Sequence, residues 1–271
     1  VARKYDLSWI LKGMDLSIII VNYKSKDKTA RCLESLKKAD FGDLSYEVIV
    51  VENASGDDLS SLKNIHPEIK IVQSEKNLGM GGGNNLGIAN SCGEFILILN
   101  PDTAVQSGAI LKLFDYIKNH QDVGIVGPKL LNSDGSLQYS CLRFPKIYTP
   151  ILRRTFFGSL APRSVNSFLM KEYDHENTRE VDWLMGSCFL TRREIFNRDG
   201  FLFDERFFMY FEDTDLCRRV WQKHKMKVVY LPEAVVIHDH ARQSADKVWY
   251  VAPLADRLAR EHIKSWIKYF F

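Results

Sequence analysis

The sequence contains no CxxC pair, and its five cysteines (Cys32, Cys92, Cys141, Cys188 and Cys217) are odd in number. That combination argues against a zinc ribbon or a disulfide framework and reads as the reduced thiols of a cytosolic protein. The seven histidines form no HExxH-type pattern, so a metalloprotease helix is excluded too. No apolar run approaches the roughly 18–20 residues needed to cross a bilayer, and the long apolar core of a signal peptide is missing near the N-terminus. Charge of one sign is scarce: the net charge is +3, where a nucleic-acid binder normally shows a larger basic excess. Internal repeats and low-complexity segments are lacking as well. What is there is an ordinary globular composition, 45% hydrophobic and 26% charged, in 271 residues that can bury one substantial core.

The small positive charge is unevenly placed. Residues 241–271 hold Arg242, Lys247, Arg257, Arg260, Lys264 and Lys268 against Asp246, Asp256 and Glu261, so this tail carries the whole excess. Within it Val251, Leu254, Ala255, Leu258, Ala259, His262, Ile263, Trp266, Ile267 and Phe270 recur at spacings of three and four. That pattern predicts an amphipathic helix with its cations mostly off the apolar face. Its first part is expected to dock on the domain, and residues 266–271 to reach a second subunit (a homodimer) or an anionic membrane surface.

Upstream, apolar runs alternate with helical spacings. Residues 16–21 (LSIIIV) form a continuous apolar run, as a parallel strand buried on both faces requires. A helix is expected over 29–38, with Cys32, Leu33 and Leu36 on one face. Strands follow at 46–51 and 69–73, then a glycine-rich loop and a helix leading to a strand at 94–99 (EFILIL). A helix at 107–119 and a strand beginning at 124–126 continue the series. This is the pattern of an α/β protein with a mostly parallel, twisted sheet flanked by helices. After Asn132 the character shifts: 133–136 reads as a turn, and 142–182, rich in Arg, Pro and aromatics, reads as a mobile loop region. The expected divisions are an extension over 1–13 before a start at Met14, halves of one domain at 14–132 and 133–240, and the tail at 241–271.

In parallel sheets, ligands bind beyond the carboxyl ends of the strands. Three such ends carry polar groups here: Asn22-Tyr23, Glu52-Asn53 and Asn100-Pro101-Asp102. One is ordinary turn chemistry, whereas three on adjoining strands are better explained by a shared site. Asp102, directly after a strand, is a natural oxygen ligand for a divalent cation holding a diphosphate, and His238, after the apolar run 235–237, is the second candidate. The glycines of NLGMGGGNNLG (77–87) let backbone N–H groups approach an anion. No Gly-Lys-Ser/Thr follows, so this is not a Walker A loop, and Asn84 stands where the dinucleotide fingerprint needs its third glycine. In FFMYFEDTDLCRRVW (207–221), Glu212, Asp213 and Asp215 open a helical pattern directly after an aromatic run. Helix capping accounts for one or two of these acids. A catalytic carboxylate is the competing reading, because acids beside aromatics are costly unless their charge is used or compensated.

In order, SIIIVNYKS (17–25), VVENAS (50–55), NLGMGGGNN (77–85), NPDT (100–103), WLMGSCFLTRREIF (183–196) and FDERFFMYFEDTDLCRR (203–219) resemble the motifs of the family 2 glycosyltransferases with the GT-A fold, most closely their rhamnosyltransferase-like branch. The resemblance covers residues 14–240 and implies a Rossmann-like nucleotide-binding half with an acceptor-binding second half. It implies that Val21, Asn22, Tyr23, Glu52 and Asn53 cradle the nucleoside of a sugar nucleotide, and that Asn77, Gly79, Gly82 and Asn84 lie near ribose or phosphate. Asn100, Pro101 and Asp102 match the metal-binding Asp-x-Asp element, and His238 a histidine that completes the shell around Mg2+ or Mn2+. Asp213 matches the carboxylate that takes the acceptor proton, while Trp183, Met185, Gly186 and Glu212 line the acceptor side. Two positions depart from the pattern. Asn100 replaces the first aspartate, which lowers the charge of the site, and Glu52 stands where aspartate is common, which shifts its contact by a methylene.

The expected function is that of an inverting, metal-dependent transferase moving L-rhamnose from dTDP-rhamnose, or a related sugar, to a hydroxyl of a glycan or lipid-linked glycan. Such an enzyme of cell-surface polysaccharide synthesis is expected in the cytoplasm, at the inner face of the plasma membrane, with no nucleic-acid partner. A galactofuranosyl- or N-acetylhexosaminyltransferase, or a sugar-nucleotide-binding protein without transfer activity, are the alternatives.

Overall fold

The computed structural model describes residues 13–239 and 257–271. The extension read over 1–13 falls outside the described residues except for Gly13, as do His240 and the tail through residue 256. The first strand, β1 (Leu16–Asn22), is buried at all seven positions, as its unbroken apolar run requires. Helix α1 (Lys26–Lys38) buries Thr29, Cys32, Leu33 and Leu36 and leads to β2 (Tyr46–Glu52). A 3-10 turn at Ser60–Asn64 precedes β3 (Lys70–Gln73). Then come α2 (Gly79–Ala89), β4 (Phe95–Leu99), the short β5 (Thr103–Val105), α3 (Ala109–Asn119) and β6 (Val123–Leu131).

The second half starts with β7 (Leu137–Gln138) and β8 (Cys141–Leu142). The segment read as an irregular, mobile stretch instead holds three short helices: α4 (Thr149–Arg154), α5 (Phe157–Leu160) and α6 (Pro162–Phe168). The prolines that look like breakers in the sequence stand in the first turn of α4 and α6, where a missing N–H costs nothing. After β9 (Arg179–Glu180) and β10 (Trp183–Leu184) come β11 (Cys188–Arg192), α7 (Arg193–Asp199), α8 (Glu212–Gln222), β12 (Lys227–His238) and, beyond the gap in description, α9 (Arg257–Phe270).

The main sheet runs β3-β2-β1-β4-β11-β6-β12-β5, with β7 beside β6 and β9 beside β12, while β8 and β10 form a separate pair. Pairings among β3, β2, β1 and β4 are parallel, as is β6 with β12. Strand β11 enters antiparallel between β4 and β6. The second half thus supplies a central strand, so the change of character at 132/133 does not divide the sheet. Alternate residues of β1 serve two cores. Ile18 and Ile20 pack with α1 and α3, and Ile19 and Val21 with α2 and α8.

The glycine-rich stretch is not a loop before a helix; it is the helix. Gly79 opens α2 at φ +74°, and a Cβ there would collide with the Phe208 carbonyl oxygen. Further along, a Cβ on Gly87 would lie 2.5 Å from Ile19 Cγ2. The glycines bring α2 onto β1 at a separation that no other residue allows.

The tail also needs correction. Tyr269 and Phe270 of α9 pack with Phe207 and Phe211, Ser265 donates to the Met209 carbonyl at 2.8 Å, and Trp266 Nε1 to the Ile147 carbonyl at 2.9 Å. Trp266, Tyr269 and Phe270 are therefore docked on the domain, while Ile263, Ile267, Lys268 and Phe271 face outward. The docked face turns toward Ser265 and Tyr269 because their hydroxyl and ring meet the 206–211 segment.

Candidate active site

The strand ends converge, but several predicted contacts are spent on building the site. Asn22 is fully buried; its Oδ1 accepts the hydroxyls of Ser25 (3.1 Å) and Thr29 (3.0 Å), and its Nδ2 donates to Asp57 at 2.8 Å. It ties the end of β1 to α1 and to the loop after β2. Hydrogen bonding from Asn22 holds the Asp57 carboxyl below the usual range against slight burial. The Glu52 carboxylate folds back on Ser55, accepting its N–H at 2.6 Å and its hydroxyl. Asn53 donates to the Gly79 carbonyl at 3.0 Å and accepts the Leu78 N–H at 2.9 Å, and Asn77 accepts the Gly79 N–H at 2.9 Å. These two amides anchor the start of α2. Asn84 is turned into the helix, donating to the Met80 carbonyl at 2.9 Å, and Gly82 lies on the same helix with Leu78 beneath it. Asn84 therefore sits within the helix and does not project from a loop toward a ligand. On β1 Val21 packs in the core, whereas Tyr23 is exposed beneath Lys24.

The turn Asn100-Pro101-Asp102 meets the far end of the chain because β5 folds back antiparallel on β12, pairing Thr103 with His238. That register sets His238 Nε2 3.3 Å from Asp102 Oδ1, and the Asp239 N–H donates to the Asp102 carbonyl at 2.8 Å. On the other side Lys28 Nζ stands 3.4 Å from Asp102 Oδ2. Burial opposes ionisation of Asp102, but the His238 contact and Lys28 prevail and hold its carboxyl below the usual range. His238 Nδ1 meets Gln138 Oε1 at 2.7 Å, while Gln138 Nε2 donates to Asn132 at 2.9 Å. With its amide so oriented, Gln138 accepts the Nδ1 proton, which fixes the ring with Nε2 facing Asp102.

Asp213 lies in the first turn of α8. Its Oδ2 accepts the Gly186 N–H at 2.9 Å, and its Oδ1 the Thr214 N–H at 2.7 Å and hydroxyl at 3.2 Å. Burial raises its pKa, and these donors resist the rise. Glu212 is raised by burial and then by the neighbouring Asp213 charge, and its Oε2 is buried without a hydrogen-bond partner. Donors therefore favour Asp213 as the ionised member of the pair and leave the proton with Glu212. Asp215 is spent elsewhere, paired with Arg219 at 2.9 Å. Two αL residues, Tyr210 (φ 70°) and Phe211 (φ 68°), precede these acids, so the chain bends sharply into α8.

One dipeptide joins the two groups. The Gly186 N–H holds Asp213, and the next carbonyl, of Ser187, accepts the Asn100 N–H at 2.8 Å. Asn100 Oδ1 and Ser187 Oγ are buried without hydrogen-bond partners, a cost of about 1–3 kcal/mol each that a bound polar ligand would relieve. Trp183 donates to the Arg143 carbonyl at 2.8 Å and Met185 to the Ser140 carbonyl at 2.9 Å, which fixes the strand leading to Gly186. Among the described residues no three His, Cys, Asp or Glu side chains cluster as a closed metal site. The open pair Asp102–His238 nevertheless fits a cation that takes most of its shell from diphosphate oxygens and water.

Lys28, Asp57, Gln138 and Ser187 were not singled out in the sequence. For Lys28 one signal was available: a cation in the first turn of a helix runs against the dipole. Gln138 and Ser187 carry no local signal, since pairing across the sheet alone brings them in.

The sequence pattern described as Glycosyl transferase family 2 matches residues 17–200. The chain is similar to the low-salt glycan biosynthesis hexosyltransferase of Haloferax volcanii, with 32% identity over 76% of this chain and 61% of that protein. It therefore spans about three-fifths of that relative's length. It is also similar to the N-acetylglucosaminyl-diphospho-decaprenol L-rhamnosyltransferase of Mycobacterium tuberculosis, with 29% identity over 93% of this chain and 83% of that protein. Among solved structures, a mannosyltransferase from Pyrobaculum calidifontis in complex with GDP-Man and Mn2+ matches with a TM-score of 0.62 at 16% identity, covering 96% of this chain and 65% of that one. A likeness at that identity speaks for the fold.

Proposed function

The chain belongs to glycosyl transferase family 2 and has the GT-A fold, and on that premise we propose that it transfers L-rhamnose, or a related sugar, from dTDP-rhamnose to a hydroxyl of a glycan or lipid-linked glycan. The similarity to an L-rhamnosyltransferase over 93% of the chain supports this choice of donor. The observation that carries the reaction is the Gly186-Ser187 link, which holds a buried carboxylate beside the turn bearing Asp102.

Asp213 is the base. Donors from Gly186 and Thr214 orient its carboxylate, which takes the acceptor proton as the hydroxyl oxygen attacks the anomeric carbon. The bond to the nucleoside diphosphate breaks on the opposite side, so the configuration inverts. Glu212, neutral beside it, leaves Asp213 as the single anion on the acceptor side, with Trp183, Met185 and Gly186 lining it. Asn22, Asn53 and Asn77 act indirectly, by holding the frame of the nucleoside site, where Tyr23 is the exposed side chain at the end of β1. Asp102 and His238 would hold Mg2+ or Mn2+, which supplies charge compensation for the leaving diphosphate. Lys28 stands ready on the same side with a fixed positive charge.

A panel of nucleotide sugars with Mn2+ or Mg2+, scored for nucleoside diphosphate release in the presence of a glycan acceptor, tests this reading. Release from dTDP-rhamnose that stops on chelation is expected. Full activity after exhaustive chelation would assign the compensation to Lys28 instead. Turnover confined to a galactofuranosyl or N-acetylhexosaminyl donor would change the sugar, and no release from any donor would leave a binding protein.

A further inference from the structure

From Gly135 to Lys171 the chain carries Arg143, Lys146, Arg153, Arg154, Arg163 and Lys171 and no aspartate or glutamate. On this acid-free stretch α4 and α5 turn large apolar side chains outward. Leu160 is 73% and Phe156 55% exposed, and Ile147, Tyr148, Ile151 and Phe157 stand open around them. The rings of Phe156 and Phe157 lie 4.1 Å apart and form one apolar tip. Soluble proteins rarely leave such groups together in water unless something covers them.

A second element continues this face. Trp266 of α9 donates to the Ile147 carbonyl at 2.9 Å, which sets α9 alongside the approach to α4. The outward stripe is Ile263, Ile267 and Phe271, spaced by four, with Arg260, Lys264 (paired with Glu261 at 2.7 Å) and Lys268 (donating to the Arg206 carbonyl at 2.5 Å) beside it at the same spacing. Apolar side chains for the acyl boundary flanked by long basic stems for the headgroups are what an interfacial helix carries.

We propose that α4, α5 and the outer stripe of α9 form one docking face for an anionic lipid bilayer, with the Phe156–Leu160 tip entering the acyl boundary. Charge selects this occupant. A second copy of the chain, meeting the same face across a two-fold axis, would set one net-basic surface against another, since the six cations of 135–171 and the three beside the α9 stripe are offset by a single acid, Glu261. A nucleic acid would complement the cations but leave the tip in water. The face adjoins the acceptor side, because the Arg143 carbonyl at its root accepts the Trp183 indole N–H. The bilayer contact itself stands whether or not the transfer reading holds.

The test is co-sedimentation of the full chain with phosphatidylcholine vesicles, with and without phosphatidylglycerol, across a salt series. Binding that requires phosphatidylglycerol and weakens with salt is expected. The F156S/F157S/L160S variant should bind at least about tenfold more weakly, since each burial it removes is worth that order. Should that variant melt abnormally, K146E/R163E, changed only at exposed positions, should show the same loss while melting as the parent does. Failure of the parent to bind anionic vesicles at low salt overturns the proposal, as does equal binding by well-folded variants. A concentration-dependent dimer abolished by the triple variant would also overturn it and assign the face to self-association.

Discussion

At the scale of single residues, the site rests on which of two adjacent acids is charged. Asp213 has three donors and Glu212 Oε2 none, so the pair divides into a charged carboxylate, the proposed base, and a proton-holding neighbour. Asp213→Asn keeps the shape and removes the base; turnover should fall about 10²–10⁴-fold with donor affinity retained, measured as kcat against donor Kd. Near-normal turnover would return Asp213 to helix capping. Glu212→Gln replaces a neutral acid by a neutral amide, so turnover near neutral pH should stay within a few-fold. Its effect on stability has a definite sign. Burial, and then the Asp213 charge, raise the Glu212 pKa on folding, so its contribution is fullest when it is protonated and is lost as pH rises from the ordinary carboxylate value through the raised one. The variant should therefore melt higher than the parent at neutral and alkaline pH and gain nothing near about pH 4. On the donor side, Asp102→Ala should abolish metal-dependent donor binding, and His238→Ala should weaken it more mildly, both read by titration calorimetry with and without Mn2+. Metal-dependent donor binding in Asp102→Ala equal to that of the parent would remove Asp102 from the metal's shell.

At the scale of elements, two helices are set by close approach rather than by propensity. Gly87 lets α2 lie on β1, and Gly87→Ala forces a methyl to within 2.5 Å of Ile19, so about 1–3 kcal/mol of destabilisation is expected in denaturant unfolding. Helix α9 is the other. Arg218 lies 4.0 Å from the centroid of the Tyr269 ring, and Phe211, in its αL conformation just before Glu212, packs on Tyr269 and Phe270. Deleting 266–271 therefore removes the support of the bend that aims Asp213. A lower melting temperature and a loss of transfer even to soluble acceptors are expected. Unchanged activity would show that the bend holds without α9.

At the scale of the whole molecule, the two halves are not separable. Strand β11 stands between β4 and β6, and β12 covers the other side of β6, so residues 14–132 alone would leave β6 without either of its long neighbours. That fragment is expected to show no cooperative unfolding transition by circular dichroism, whereas the full chain unfolds as one unit. The same interleaving builds the site, because the end of β4 and the start of β11 are joined at Asn100 and Ser187.

The sequence by itself determined the parallel first half, the strand-end placement of Asn22, Glu52 and Asp102, and the helix start at Asp213, because continuous apolar runs and helical spacings are local properties of the chain. It also pointed to Asp102 and His238 as partners through the resemblance of their motifs. It did not show that the glycines form a helix, since glycine disfavours helices unless a neighbour needs the space, and here that neighbour is Ile19 on another element. Nor could it assign Asn53 and Asn84 to internal hydrogen bonds, place Lys28 and Gln138 around the Asp102–His238 pair, or turn Tyr269 inward and Ile267 outward. Those outcomes depend on strand register and on which surface a helix meets. Both are settled by contacts between residues far apart in the chain, and only the tertiary structure decides them.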